Sequence, residues 1–329
     1  MTEPILCLSH QDLQQLLSFD TVLPIVEAAF SQQAVGGSTT FPAVRVSLDK
    51  YQGIFGIKSG FVANTETLGL KAGGYWGRRV ALGQPGHFST IVLFDPNDGH
   101  PVALMDGNYI TELRTAAAGA VAAKHLARTD LERLTVGLIG AGVQGRAQVK
   151  GLLQVLKVAQ VYCFDLNVPA AEQVAADLRA AGVSAMSVAT AEEAVTAANV
   201  ILTTTPSKQA YVRDEWIQPG MHINAMGSDT RGKQELEISL LRRAKVVVDD
   251  LPQASTLGEV QHLAAAGLLE QHPVYAELGE ITAGLKPGRL SSDEITVFDG
   301  TGVAFQDLVT AHEAVRLARS RGLGQVVRL

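Results

Sequence analysis

The stretch Leu134-Thr135-Val136-Gly137-Leu138-Ile139-Gly140-Ala141-Gly142-Val143-Gln144-Gly145 decides the fold of this 329-residue chain. Its first six residues read as a buried strand. Gly140, Gly142 and Gly145 follow in G-x-G-x-x-G spacing and open a helix predicted over 143–156. The first glycine allows a tight turn, the second lets the backbone approach a pyrophosphate, and the third lets helix and strand touch. The helix N-terminus adds unpaired N–H groups and partial positive charge for phosphates. The next strand, Gln160–Phe164, ends at Asp165 with no arginine close behind. A carboxylate there accepts from a ribose 2′-hydroxyl and repels a 2′-phosphate, so the sequence reads for NAD(H) over NADP(H). Asp165 also fits a second role, as N-cap of the following helix.

Outward from this stretch the βα alternation continues. Helix 168–181, a short strand at 184–188 and helix 190–198 lead to strand Val200–Thr204, and His222–Ala225 and Val246–Asp249 are two more strands. The fold class expected is α/β, a doubly wound parallel Rossmann sheet over 129–304. Upstream the pattern differs. Residues 10–35 have helical spacing with a break near Ser18-Phe19-Asp20, where Asp20 can cap the second helix. Val44–Leu48, Gly53–Ile57, Leu68–Gly73, Thr90–Phe94 and Val102–Met105 read as strands. An alanine-rich helix over 109–127 starts near Asn108 or Thr111, and the tail at 304–321 is again helical. The expected smaller α+β domain therefore takes residues 1–128 and 305–329.

Composition narrows the function. Hydrophobic residues make up 47% and charged residues 18%, the net charge is −6, and no Lys/Arg-rich block occurs, which argues against nucleic acid. No apolar run of transmembrane length and no basic leader is present, and Cys7 and Cys163 form no C-x-x-C, so a reducing cytoplasm is expected. No metal-binding spacing and no G-x-S-x-G occurs. His87 reads as structural.

The smaller domain carries cations in unusual places. Lys58 and Lys71 interrupt apolar strands, while Arg45 and Arg114 sit at strand and helix positions. Lysine is rarely buried without a partner. Together the four suggest an anionic ligand, since arginine grips carboxylate with a fork of N–H groups. Asp229 follows the strand His222–Ala225, beyond whose carboxyl end an open α/β sheet binds its ligands. As a residue after Gly-Ser it also reads as a turn former.

These features together resemble the ornithine cyclodeaminase/μ-crystallin family. The marks are 102–111, Leu113-Arg114-Thr115-Ala116-Ala117, Gly137 to Gln144, Asn224 to Asp229, Gly232 to Leu236 and Asp293 to Phe298. The resemblance implies a homodimer assembled through the smaller domain. It implies that Arg45, Lys71 and Arg114 hold a substrate α-carboxylate, with Lys71 and Asp229 catalytic and Asp229 the general acid/base beside the α-nitrogen. It implies cofactor contacts at Thr115, Gly140, Gly142, Val143, Gln144, Asp165, Thr204, Thr205, Met226 and Lys233. The chain departs from the cyclodeaminase pattern between Tyr51 and Thr65, where no acid offers itself to a distal ammonium and Lys58 stands instead. A lysine repels an ammonium and suits a second carboxylate. The expectation is an NADH-dependent imine reductase forming an L-amino acid, iminosuccinate to L-aspartate preferred. The alternatives are reduction of pyrroline- or piperideine-2-carboxylate, alanine dehydrogenase-like activity, ornithine cyclodeamination, and cofactor binding without catalysis.

Overall fold

The computed structural model describes residues 3–328, so Met1, Thr2 and Leu329 of the expected smaller domain lie outside the description. The chain forms two compact units, residues 1–114 with 303–329, and residues 115–302. The sequence reading put the divisions at 128/129 and 304/305. The upper one falls instead inside a long helix, α4 (Gly107–Leu126), where Arg114 ends one unit and Thr115 begins the other.

The first unit is a mixed sheet with helices on one face. Its strands are β1 (Ile5–Leu8), β2 (Ser38–Thr40), β3 (Val44–Leu48), β4 (Gly53–Val62), β5 (Thr67–Trp76), β6 (His87–Phe94), β7 (Pro101–Asp106) and β18 (Gln325–Val327). The order is β18-β1-β7-β6-β5-β4-β2, with β3 also on β4. β4 and β5 run ten residues each, well beyond the segments that alternation alone marked. Strands β1 and β18, which pair with each other, were not anticipated.

The helices are α1 (His10–Leu16), α2 (Phe19–Ala34), the short α3 (Gly77–Ala81) and α12 (Ala304–Arg321). α2 starts at Ser18, whose N–H donates to the Thr21 hydroxyl at 3.0 Å; Asp20 sits inside the first turn and is not the cap expected of it. α4 starts at Gly107, next to Asn108 as expected. Asp106 Oδ1 accepts from the N–H groups of Asn108 and Tyr109 at 3.1 Å each. α12 lies against α2, with Phe30 and Phe305 edge to face at 5.3 Å, and covers the sheet face that carries Thr67, Gly69 and Lys71. On the opposite face Val44, Val46, Phe88 and Leu104 are exposed.

The second unit is the Rossmann sheet. In chain order its strands are β8 (Leu134–Ile139), β9 (Val158–Phe164), β10 (Ala185–Ser187), β11 (Val200–Thr203), β13 (His222–Ala225), β15 (Lys245–Val248), β16 (Ala276–Glu277) and β17 (Thr296–Asp299). They pair in parallel in the order β10-β9-β8-β11-β13-β17-β15-β16, while β12 (Lys208–Val212) and β14 (Gln234–Leu236) form a separate parallel pair. α5 (Val143–Leu152) and α6 (Val168–Ala180) cover one face. α7 (Ala191–Thr196), α8 (Ile238–Arg243), α9 (Leu251–Leu257) and α10 (Val260–Ala265) contribute to the core on the other, and α11 (Leu278–Thr282) follows β16. The fold is thus α/β, doubly wound, with a smaller α+β unit. Among the described residues no helix is long and apolar enough to cross a membrane.

Candidate active site

The glycine turn joins β8 to α5 at the point where the order of the sheet reverses, between β8 and β11. Gly140 has φ +101°, a conformation open to glycine and strained for other residues. A Cβ on Gly145 would lie 1.9 Å from the Gly140 carbonyl oxygen, so the helix reaches the turn only without one. Gly142 is different: at φ −74° and ψ −169° it is the N-cap of α5, and a Cβ there would meet nothing within 4 Å. The space is kept open above the first N–H groups of α5, those of Val143 and Gln144. That is what a pyrophosphate cradle requires. Asp165 stands at the end of β9, with Oδ2 accepting from the Ala141 N–H and Oδ1 from the Asn167 N–H, both at 2.7 Å. The N-cap of α6 is Asn167, not Asp165, whose carboxylate instead ties the glycine turn to the start of the next loop, and the open turn fits NAD.

The loops beyond the strands are tied by buried acids that sequence reasoning did not find. Glu235 accepts from the Thr203 hydroxyl (2.7 Å), the Thr205 N–H and hydroxyl (2.7 Å each), the Tyr211 hydroxyl (2.8 Å) and the Gly227 N–H (2.9 Å). Thr205 is therefore engaged with Glu235, while the Thr204 hydroxyl donates to the Gly140 carbonyl at 2.9 Å. Glu259 accepts from the N–H groups of Glu235 and Leu236, and burial pushes its carboxyl well above the usual range. Burial also drives Asp299 up to about 8, helped by Asp249 and Glu235 against the pull of backbone N–H donors.

Met226 packs against Gly300. Asp229 follows it on a half-exposed loop, where Oδ1 takes Lys233 Nζ at 2.7 Å and the Thr230 hydroxyl at 3.1 Å. Lys233 also donates to the Gly227 carbonyl at 3.2 Å. Thr115 accepts at its carbonyl from Gln148 of α5 (2.9 Å), and its hydroxyl is buried without a partner.

The first unit gathers the cations. Lys58 of β4 lies directly opposite Lys71 of β5, and Arg45 of β3 opposite Gly56 of β4. Positions 56 and 58 share a face, so Arg45, Lys58 and Lys71 do too. The Arg45 side chain runs over Gly56, its Cγ 3.4 Å from where a Cβ would stand. Like charges directly across a ladder destabilise a sheet, a cost that points to an anionic ligand.

Arg114 of α4 joins them through an acid that sequence reasoning missed. Asp307 Oδ1 accepts from Lys71 Nζ at 2.7 Å and from Arg114 Nε at 2.8 Å, while Gln306 Oε1 accepts from Arg114 Nη1 at 3.0 Å and the Thr111 hydroxyl from Lys71 at 3.1 Å. The available signal was a polar pair, Gln306-Asp307, set between Phe305 and Leu308 in an apolar helix. Burial first, then Arg114 and Lys58, lower Lys71 to about 7 despite Asp307. Burial opposes ionisation of Asp307, yet Arg114 and Lys71 hold it below the usual carboxylate range. Two other polar residues have partners of their own: His87 pairs with Asn108 Oδ1 at 3.0 Å, and Arg79 donates to the Pro85 carbonyl and stacks 4.7 Å from the Phe88 ring centre.

The parallel sheet, its glycine turn and the cationic face define the class, a Rossmann oxidoreductase. Residues 5–320 match the ornithine cyclodeaminase/mu-crystallin family, and the chain belongs to it. An iminosuccinate reductase from Paracoccus denitrificans is 36% identical over 99% of this chain and 100% of its own length. An archaeal alanine dehydrogenase dimer with bound NAD matches with a TM-score of 0.94 and 36% identity, covering 99% of this chain and 100% of that one. The Δ(1)-pyrroline-2-carboxylate reductase of Thermococcus litoralis, in complex with NADH and L-proline, also has a TM-score of 0.94, at 32% identity over 98% and 100% of the chains.

Proposed function

We propose that this chain is an NADH-dependent imine reductase that forms an L-amino acid, with the imine of a dicarboxylic acid, iminosuccinate, as preferred substrate and L-aspartate as product. The observation that carries the reading is the face shared by Arg45, Lys58 and Lys71, with Arg114 held beside it. Arg45, Lys71 and Arg114 grip the α-carboxylate, and Lys58 takes the distal one. Overall identity does not choose between this substrate and that of alanine dehydrogenase, since both relatives stand at 36%. What supports the dicarboxylate is the number of cations on one face, Arg45, Lys58 and Lys71, which suits a substrate with two carboxylates.

The nicotinamide supplies the hydride. The protein binds and orients the imine and excludes water, which supplies much of the rate enhancement. The α5 N–H groups would hold the pyrophosphate and Asp165 the ribose hydroxyls. Asp229 exchanges the proton at the substrate nitrogen, with Lys233 holding its carboxylate in place. Assembly is a homodimer through the uncovered sheet face, where Val44, Val46, Phe88 and Leu104 offer an apolar surface to a second copy.

The test is NADH oxidation with oxaloacetate plus ammonia, pyruvate plus ammonia, pyrroline-2-carboxylate and piperideine-2-carboxylate, for the native enzyme and Lys58→Ala. Turnover with oxaloacetate plus ammonia that falls by at least about 30-fold in the variant is expected, from the 2 kcal/mol or more that loss of one member of a desolvated charge pair costs. A preference for the cyclic imines that survives Lys58→Ala removes the dicarboxylate reading. That outcome favours the second reading, formation of a cyclic amino acid, to which the proline-bound relative lends weight.

A further inference from the structure

The cationic face contains an electrostatic problem. Burial, the Lys58 ammonium from β4 and the Arg114 guanidinium from α4 all press Lys71 to give up its proton. The β6 residue opposite Lys71, Ile91, offers no charge. A neutral Lys71 has no grip on a carboxylate. Against this pressure stands Asp307 of α12, with the ammonium at 2.7 Å.

The placement of Asp307 is specific. It lies in the first turn of α12, where the partial positive charge of a helix N-terminus stabilises a carboxylate. One oxygen, Oδ1, takes both Lys71 and Arg114, and the other, Oδ2, is buried with no hydrogen-bond partner, so the carboxylate is turned to the two cations. Gln306, one residue earlier, holds Arg114 Nη1, so consecutive residues fix two edges of one guanidinium.

We propose that Asp307 is a positioning residue: as the buried counter-ion of Lys71 it keeps the ammonium charged and aimed beside Arg114, and so sets the pH above which the site releases its acidic substrate. The proposal rests on the reading of Lys71 as a carboxylate ligand. Below the midpoint of Lys71 the site is fully cationic. Above it the ammonium is lost and the substrate is held less tightly, so KM rises on the alkaline side while kcat changes little. Neutralising Asp307 removes a charge that favours the ammonium and moves that limb to lower pH.

The experiment uses the full chain labelled at lysine Cε with carbon-13. The Lys71 signal is assigned as the one absent from Lys71→Arg. Its titration is followed in the native protein, Asp307→Asn and Asp307→Glu, and KM and kcat are measured against pH with the imine that the native enzyme turns over. The asparagine keeps the shape and an accepting oxygen but not the charge. The native midpoint is expected near 7. In Asp307→Asn it is expected about 1–3 pH units lower, the usual effect of an opposite charge at this range, with up to tenfold rise in KM per unit and recovery in Asp307→Glu. An unchanged midpoint in a folded Asp307→Asn overturns the proposal, and Asp307 is then an anchor for α12. Should that variant not fold, Asp307→Ser takes its place, and an unchanged midpoint there overturns the proposal equally. A midpoint that falls while KM stays flat supports the role of Asp307 and sinks the assignment of the substrate carboxylate to Lys71.

Discussion

Two glycines of one turn predict opposite behaviour when each is replaced by alanine. At Gly142 the added methyl meets no protein atom within 4 Å, and φ −74° with ψ −169° is allowed to any residue. The folded protein loses a few tenths to about 1 kcal/mol because alanine caps a helix less well than glycine. It regains about 0.4–1 kcal/mol because the unfolded chain has less freedom to lose. Thermal stability of Gly142→Ala is thus expected within about 0.5 kcal/mol of native. The methyl instead occupies the space kept for the pyrophosphate. Loss of one hydrogen bond to a charged group costs about 1.5–3 kcal/mol, which weakens NADH roughly 10- to 150-fold. At Gly145 the methyl would stand 1.9 Å from the Gly140 carbonyl oxygen, backbone against backbone. Overpacking of this kind costs about 1–3 kcal/mol or more, a fall of several degrees in melting temperature. NADH titration by fluorescence together with thermal melts reads both variants. A Gly142→Ala protein that binds NADH as tightly as native would refute the placement of the phosphates on α5.

Other outcomes follow from groups away from the turn. Burial lowers His222 from 6.5 to about 3, so it is neutral in the native protein while the unfolded chain takes up a proton below about 6.5. Stability from this group is complete above pH 6.5 and is lost toward pH 3 by up to about 1.4 kcal/mol per unit. Urea unfolding of His222→Gln between pH 7 and 5 should show a shallower slope than native, and an equal slope removes the argument. On the uncovered sheet face, Val46→Glu with Phe88→Glu should turn a dimer into a monomer by light scattering, and a mass unchanged from native places the interface elsewhere.

The sequence was most legible where structure is local. Gly140, Gly142 and Gly145 could be read because strand, turn and helix are contiguous, and Asp165 because a Rossmann unit fixes the distance to the next strand end. Val44–Leu48 and Leu134–Ile139 came out at their full lengths, since alternation and a continuous apolar run each leave a clear trace. β1 did not, because Ile5–Leu8 is four residues whose pairing with β7 and β18 depends on distant chain. The cap was misplaced at Asp20 for a related reason: several polar residues cluster at that helix start, and backbone geometry chooses among them. The cations of the first unit announced themselves by interrupting apolar strands. Their counter-ion did not, for Asp307 lies 236 positions from Lys71 and 193 from Arg114, and its burial appears only when α12 returns. Glu235 was hidden in the same way. An acid held by hydroxyl and amide donors, as Glu235 is, has no sequence signature.

The two hydrogen bonds of Asp165 bear on coenzyme engineering. A redesign toward the phosphorylated dinucleotide commonly begins by removing the acid at the end of the second Rossmann strand. In this chain the same carboxylate already fastens the backbone on both sides, at Ala141 and Asn167, before any nucleotide arrives. Erasing it leaves two amides to find new partners, at about 1–3 kcal/mol for each that stays dry. On the proposed reading of Asp165, coenzyme choice and loop integrity rest on one carboxylate, and a successful switch must first supply a neutral acceptor that keeps the loop shut.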